Sequence, residues 1–122
     1  MGRAILIVED DDIVRDFMLV VLRSEGREVL TAESVKAARE IIFARPDAEN
    51  LSLIIDVVLR QESGVAFAQE LIQRYPRFNV LLVSGFTDDM VLTEPEDIER
   101  IAFLPKPFTK KELMGALEKF DG

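Results

Sequence analysis

The sequence lacks cysteine and histidine altogether. Without cysteine the chain has no disulfide bond, thiolate metal site or cysteine nucleophile, and without histidine it has no imidazole base or imidazole metal ligand. No apolar run approaches the roughly 20 residues that a membrane-spanning helix needs. Any chemistry must therefore use carboxylate, hydroxyl or lysine groups, or groups that a partner supplies.

Basic residues are also in the minority, with 15 Lys and Arg against 23 Asp and Glu and a net charge of -8. Because this charge repels phosphate, we expect no direct binding to nucleic acid and no attachment to anionic membranes. A chain of 122 residues with 48% hydrophobic content suits one compact domain, residues 1–122. The first residues show no export signal, so we expect a cytoplasmic protein.

Apolar runs of strand length alternate with segments of helical periodicity. The predicted strands are residues 4–8, 28–31, 53–56, 79–83 and 103–105. Helices are predicted to begin after Asp11 or Asp12, after Ser34, at Gly64 and after Thr109, with a short or broken helix within residues 87–100. This alternation predicts an α/β fold of flavodoxin type. The expected sheet is doubly wound, five-stranded and parallel, of order 2-1-3-4-5, with helices on both faces.

Polar side chains directly follow four of these strands. Glu9 and Asp10 follow the first strand, Asp56 closes the third, Ser84 follows the fourth and Lys106 follows the fifth. Because the carboxyl ends of parallel strands share one edge, and the strand order reverses between the first and third strands, these residues should meet in one crevice. Three carboxylates, a hydroxyl and an ammonium suit a divalent cation and a phosphoryl group.

The types of ligand present favour Mg²⁺, with Mn²⁺ as a plausible substitute, because only hard oxygen donors are available. An aspartate can attack phosphorus when nearby cations neutralise the phosphoryl oxygens. Asp56 is the candidate nucleophile, since it stands alone at its strand end, whereas Glu9 and Asp10 form a pair suited to holding metal. Lys106 would bind the phosphate, and the Ser84 hydroxyl would donate to a phosphoryl oxygen.

Four segments in this order resemble the receiver domains of two-component response regulators, which histidine kinases phosphorylate on aspartate. They are residues 5–11, 53–56 followed by Gly64, 83–85 and 103–108, and the resemblance covers the whole chain. By this resemblance, Glu9, Asp10, Asp56 and the backbone carbonyl of Val58 are the metal ligands. It further implies that Ser84 is the switch hydroxyl, that Phe103 is the switch aromatic and that a cis peptide bond precedes Pro107.

The resemblance also implies a switch that catalyses its own phosphorylation and dephosphorylation, with no turnover of an external substrate. A histidine kinase or a histidine phosphotransfer protein would supply the phosphoryl group to Asp56. Movements of Ser84 and Phe103 would then change the surface of the predicted fourth helix, fifth strand and fifth helix, which a downstream protein target reads.

The first helix carries six consecutive apolar residues, 17–22, which is more than one buried stripe needs. We interpret part of this patch, with Ile13 and Val14, as a docking surface for the phosphodonor, and weigh it equally against burial by neighbouring helices or a dimer contact. The sequence leaves open whether the chain forms a homodimer. Val58 and Phe86 beside the reaction centre are apolar and offer no group to position water, which predicts a long-lived aspartyl phosphate.

Three other functions fit parts of the pattern. A Mg²⁺-dependent phosphohydrolase of the haloacid dehalogenase type would use Asp10 and Asp12 as nucleophile and acid. A carrier of flavin mononucleotide shares the fold, but acids at the end of the first strand would repel the flavin phosphate. A degenerate receiver that only binds proteins would not need the complete residue set.

Overall fold

The computed structural model of the chain describes residues 4–59, 62–75, 77–85 and 101–121. Strands and helices alternate along it. In chain order the elements are β1 (Ala4–Val8), α1 (Asp12–Ser24), β2 (Val29–Ala32), α2 (Val35–Ala44), β3 (Leu51–Asp56), β4 (Val58–Leu59), β5 (Glu62–Ser63), α3 (Gly64–Arg74), β6 (Asn79–Ser84), β7 (Ile101–Pro105) and α4 (Lys110–Asp121).

Five of these strands form one parallel sheet of order β2-β1-β3-β6-β7. With the short antiparallel β4–β5 pair set aside, this is the predicted order 2-1-3-4-5, and the predicted fold class is confirmed. The order reverses between β1 and β3, where Val8 pairs with Ile55. On the other side of β3, Asp56 pairs with Val83. A crevice at the carboxyl edge therefore opens beside Asp56.

Hydrophobic residues on both faces of the sheet are buried. On β1, Leu6 and Val8 pack into the cluster shared with α2 and α3, while Ile5 and Ile7 pack into the cluster shared with α1 and α4. All four are fully buried. Because helices cover both faces, the strands are continuously apolar, and each such side chain contributes about 1.5–3 kcal/mol of burial free energy.

Side-chain caps fix where the helices start. Asp11 caps α1, and its carboxylate accepts hydrogen bonds from the N–H groups of Ile13 at 2.9 Å and Val14 at 3.2 Å. The predicted helix start after Thr109 is confirmed by a capping box before α4, since the Thr109 N–H donates to Glu112 at 3.0 Å and the Glu112 N–H donates to Thr109 at 3.1 Å. These caps satisfy backbone groups that a helix start leaves without intrahelical partners.

Several boundaries differ from the sequence prediction. β3 begins at Leu51 and β7 at Ile101, because Leu51 pairs with Ala4 and Ile101 pairs with Val80. β2 runs one residue later than predicted, and the β4–β5 pair was not predicted. The predicted helix within residues 87–100, and Phe86, lie outside the described residues. In the described ranges, none of the helices has the length and apolar composition that a bilayer crossing requires.

Candidate functional site

Three carboxylates converge at the carboxyl edge of the sheet. Glu9 and Asp10 leave the end of β1, and Asp56 is the last residue of β3. Their oxygen atoms lie within 4.8 Å of one another, with Glu9 and Asp56 buried and Asp10 half-buried. The structure therefore brings together the three acids that the sequence predicted at one edge, although α1, β2 and α2 lie between β1 and β3 in the chain.

Lys106 joins this cluster from the loop after β7. Its Nζ lies 3.2 Å from Asp56 Oδ2 and 3.3 Å from Glu9 Oε1, so one ammonium bridges two carboxylates. The second oxygen of Asp56, Oδ1, accepts a hydrogen bond from the Val58 N–H at 3.2 Å. These contacts orient the Asp56 side chain from two sides, as a positioned nucleophile requires.

Burial controls the charge of this cluster. It raises the pKa of Glu9 from an ordinary 4.5 to about 8, and the neighbouring Asp56 carboxylate adds to the rise more than Lys106 opposes it. Burial alone would lower the pKa of Lys106, but the charges of Glu9 and Asp56 outweigh that effect and raise it. Without a cation, burial and the Asp56 carboxylate therefore favour the protonated form of Glu9, while Lys106 keeps its charge.

The arrangement fits a small divalent cation. Glu9 Oε2 is buried and has no hydrogen-bond partner among the residues that the structure describes. A buried carboxylate oxygen without a partner is costly, and a cation bound between Glu9, Asp10 and Asp56 would satisfy it. Oxygen is the only donor type that these side chains offer, which suits Mg²⁺.

The other predicted site residues lie on β4, β6 and β7. Ser84 is buried at the end of β6, and its carbonyl accepts the Lys106 backbone N–H at 2.7 Å. Val58 is half exposed beside Asp56. Phe103 lies farther away on β7, where it pairs with Leu82 and is 40% exposed. The peptide bond between Lys106 and Pro107 is cis, as the resemblance implied.

Asp12 stands apart from the cluster. Its side chain is 79% exposed on the first turn of α1 and forms an ion pair with Arg15. A haloacid dehalogenase would need this residue as an acid over the nucleophile Asp10. The observed position of Asp12 therefore disfavours the phosphohydrolase alternative.

Two residues that sequence reasoning did not place in the site contact its backbone. The Gly64 N–H donates to the Val57 carbonyl at 2.8 Å, and a Cβ at position 64 would lie 1.9 Å from the Asp56 carbonyl oxygen. Arg15 Nη1 donates to the Glu9 carbonyl at 3.1 Å. Gly64 was predicted to begin a helix and belongs to the segments that carry the resemblance, but its close approach to Asp56 was not predicted, and Arg15 was not singled out.

An apolar groove of about 590 Å³ opens next to the cluster. Lys106 is part of its wall, so the groove leads toward Asp56. The lining residues are Ile13, Val14, Phe17, Gly85, Lys106, Pro107 and Phe108. On α1, Phe17 is 41% exposed and Val20 67% exposed, which confirms that part of the apolar run 17–22 faces outward, and Ile13 nearby is 81% exposed.

Comparison with known proteins agrees with this geometry. Residues 5–118 match the family model for the response regulator receiver domain. The chain is 29% identical to the response regulator receiver protein CpdR of Brucella abortus over 118 residues, which are 96% of this chain and 95% of CpdR. It is 32% identical to the sensor kinase CckA of the same organism over 89% of this chain and 11% of that protein.

Solved structures show the same fold. The crystal structure of NtrX from Brucella abortus matches 99% of this chain and 28% of its own, with 27% identity and a TM-score of 0.77. A response regulator receiver domain protein from Clostridium thermocellum matches 97% of this chain and 93% of its own, with a TM-score of 0.79 at 22% identity. The chain thus spans nearly all of some relatives and a small part of others. It belongs to the response regulator receiver domain family of two-component signalling.

Proposed function

We propose that residues 1–122 form a single receiver domain that accepts a phosphoryl group on Asp56 in the presence of Mg²⁺. The observation that carries the proposal is the convergence of Asp56 with Glu9 and Asp10 within 4.8 Å, with the Lys106 ammonium 3.2 Å from Asp56. Glu9, Asp10, Asp56 and the Val58 carbonyl would hold the cation.

The chemistry is a phosphoryl transfer between two side chains. An oxygen of Asp56 forms the new bond to phosphorus as the bond to the donor imidazole nitrogen breaks, and the imidazole leaves as the neutral group after taking up a proton. Lys106 neutralises charge on the phosphoryl oxygens, and the Ser84 hydroxyl donates to one of them. Bound Mg²⁺ would supply further neutralisation of these oxygens.

A histidine that donates the phosphoryl group must lie outside residues 1–122, because these residues contain none. A histidine kinase or a histidine phosphotransfer protein can seat an apolar helix in the groove beside α1, whose wall includes Lys106. We therefore expect Ile13→Arg to slow transfer from a phosphohistidine donor much more than labelling by acetyl phosphate. Phe43→Arg is the matched control, since Phe43 is also an exposed apolar residue, 49% exposed, but lies on α2.

The output would be a change of surface read by a downstream protein. After phosphorylation, Ser84 would move toward the new phosphate and Phe103 would turn inward behind it. The 40% exposure of Phe103 gives it a surface to lose on such a movement. With its net charge of -8, the domain would act through protein contact in the cytoplasm and not by binding nucleic acid itself.

Beryllium fluoride with Mg²⁺ tests this proposal, because the adduct mimics an aspartyl phosphate. We expect the amide NMR spectrum of the native protein to change around Asp56, Ser84 and Phe103, and the spectrum of Asp56→Asn to stay constant. An unchanged native spectrum would refute the switch. Steady-state release of phosphate from small phosphate esters, which the proposal does not expect, would instead favour an enzyme.

A further inference from the structure

Arg15 ties the first turn of α1 to the end of β1. Its Nη1 donates to the Glu9 carbonyl oxygen at 3.1 Å, and its Nη2 forms a short ion pair with the Asp12 carboxylate. The Arg15 side chain is only 18% exposed. A planar guanidinium can make these two contacts at once because its donors diverge in a fixed geometry. One side chain therefore connects the backbone of Glu9, just after β1, to Asp12 at the start of α1.

The Glu9 carbonyl belongs to the peptide plane that also carries the Asp10 N–H. On the other side of Glu9, its own N–H donates to the Ala32 carbonyl at 3.0 Å. The backbone of Glu9 is thus held by β2 before the residue and by Arg15 after it. Fixing this peptide fixes where the side chains of Glu9 and Asp10 leave the chain, and these are two of the three clustered carboxylates.

We infer that Arg15 is a positioning residue for the cation site. By holding the Glu9–Asp10 peptide it keeps two carboxylates in the arrangement that binds Mg²⁺, without itself touching the cation. This inference rests on the proposed function only in taking the cluster to be a cation site. It assigns Arg15 a role that its ion pair with Asp12 alone would not give.

A role of Arg15 through its charge and a role through its hydrogen bond predict opposite changes in Mg²⁺ affinity when the side chain is removed. If Arg15 acted only through its positive charge, it would repel a divalent cation, and its removal would strengthen Mg²⁺ binding. If Arg15 acts by holding the peptide, its removal weakens Mg²⁺ binding, as loss of an outer hydrogen-bond partner of a metal ligand does. The sign of the change therefore separates the two roles.

The test is calorimetric titration of purified protein with Mg²⁺ alone. We expect Arg15→Met to bind Mg²⁺ about 10-fold more weakly than the native chain. Arg15→Lys keeps the charge but cannot make both contacts, so its affinity should fall between the two. Arg39→Lys is the matched control with native affinity, because Arg39 also pairs with a carboxylate, that of Glu70, on the α2–α3 surface.

Tighter Mg²⁺ binding by Arg15→Met, or native affinity in both Arg15 variants, would overturn the inference. Urea unfolding of each variant without metal checks that the compared proteins are folded at the titration temperature. The outcome is separable from the proposed function. If the native chain binds Mg²⁺ but never takes up phosphate, the proposed function fails, while weaker Mg²⁺ binding in the Arg15 variants would still support a positioning role.

Discussion

Replacing Gly64 by alanine tests how closely α3 is packed against Asp56, the proposed phosphoacceptor. A Cβ at position 64 would lie 1.9 Å from the Asp56 carbonyl oxygen, 2.8 Å from the Asp56 carbonyl carbon and 3.0 Å from the Val57 Cα. All three are backbone atoms, so no side chain can rotate away. The end of β3 and the start of α3 must therefore move apart, and Asp56 must move with them.

Two terms of opposite sign decide the stability of Gly64→Ala. Overpacking of this kind costs about 1–3 kcal/mol, whereas the helix preference of alanine over glycine returns at most about 1 kcal/mol. We expect a net loss of about 1–2 kcal/mol in the free energy of unfolding. Because a displacement of about 1 Å at a reacting group can lower a rate by about 100-fold, labelling by acetyl phosphate should slow by up to that factor.

Urea unfolding and a mass-spectrometric time course of labelling measure the two effects. Gly115→Ala is the matched control, because α4 leaves open space around a Cβ at that position. It should gain about 0.5–1 kcal/mol from helix preference and label at the native rate. If Gly64→Ala were as stable as the native chain and labelled at the native rate, the close approach of α3 to Asp56 would be wrong.

Three further predictions concern the same cluster. Because the Glu9 pKa is raised to about 8 in the folded chain, the free energy of unfolding without metal should fall as pH rises from about 4.5 to about 8, by at most about 1.4 kcal/mol per pH unit. Mg²⁺ affinity should rise over the same interval, because the cation binds the deprotonated carboxylate. Urea unfolding and Mg²⁺ titration at several pH values check both effects, and a flat profile would contradict them. Lys106→Met should slow labelling of Asp56 by acetyl phosphate about 100-fold, because it removes the ammonium 3.2 Å from that carboxylate; an unchanged rate would exclude Lys106 from the reaction. The native aspartyl phosphate should be long-lived and Val58→Asn should shorten its lifetime, because an amide beside Asp56 can position water; phosphate loss from the native chain on the order of seconds would contradict this.

The fold and the convergence of the acids followed from the sequence because both depend on pattern. Runs of apolar residues buried on both faces indicate parallel strands, and parallel strands place their carboxyl ends at one edge. Asp10 and Asp56 could therefore be assigned to one crevice without knowledge of any side-chain conformation. Lys106 followed by the same reasoning from the last strand.

Other features depend on the path of the chain between these elements. The close approach of Gly64 to Asp56 and the contact of Arg15 with the Glu9 carbonyl are set by loop geometry, which no periodicity encodes. The pairing of Val58 with Ser63 in the β4–β5 hairpin is equally local. The starts of β3 and β7 were predicted two residues too late, because pairing with neighbouring strands extends these strands back to Leu51 and Ile101.

Labelling with acetyl phosphate tests the central claim most directly. In the presence of Mg²⁺ we expect the native chain to gain the mass of one phosphoryl group, and we expect no gain after chelation of the metal or in Asp56→Asn. Asp12→Asn is the matched control and should still be labelled, because the exposed Asp12 side chain stands apart from the cluster. Labelling of Asp56→Asn to the native extent, or failure of the native chain to be labelled, would contradict the assignment of Asp56 as the phosphoacceptor.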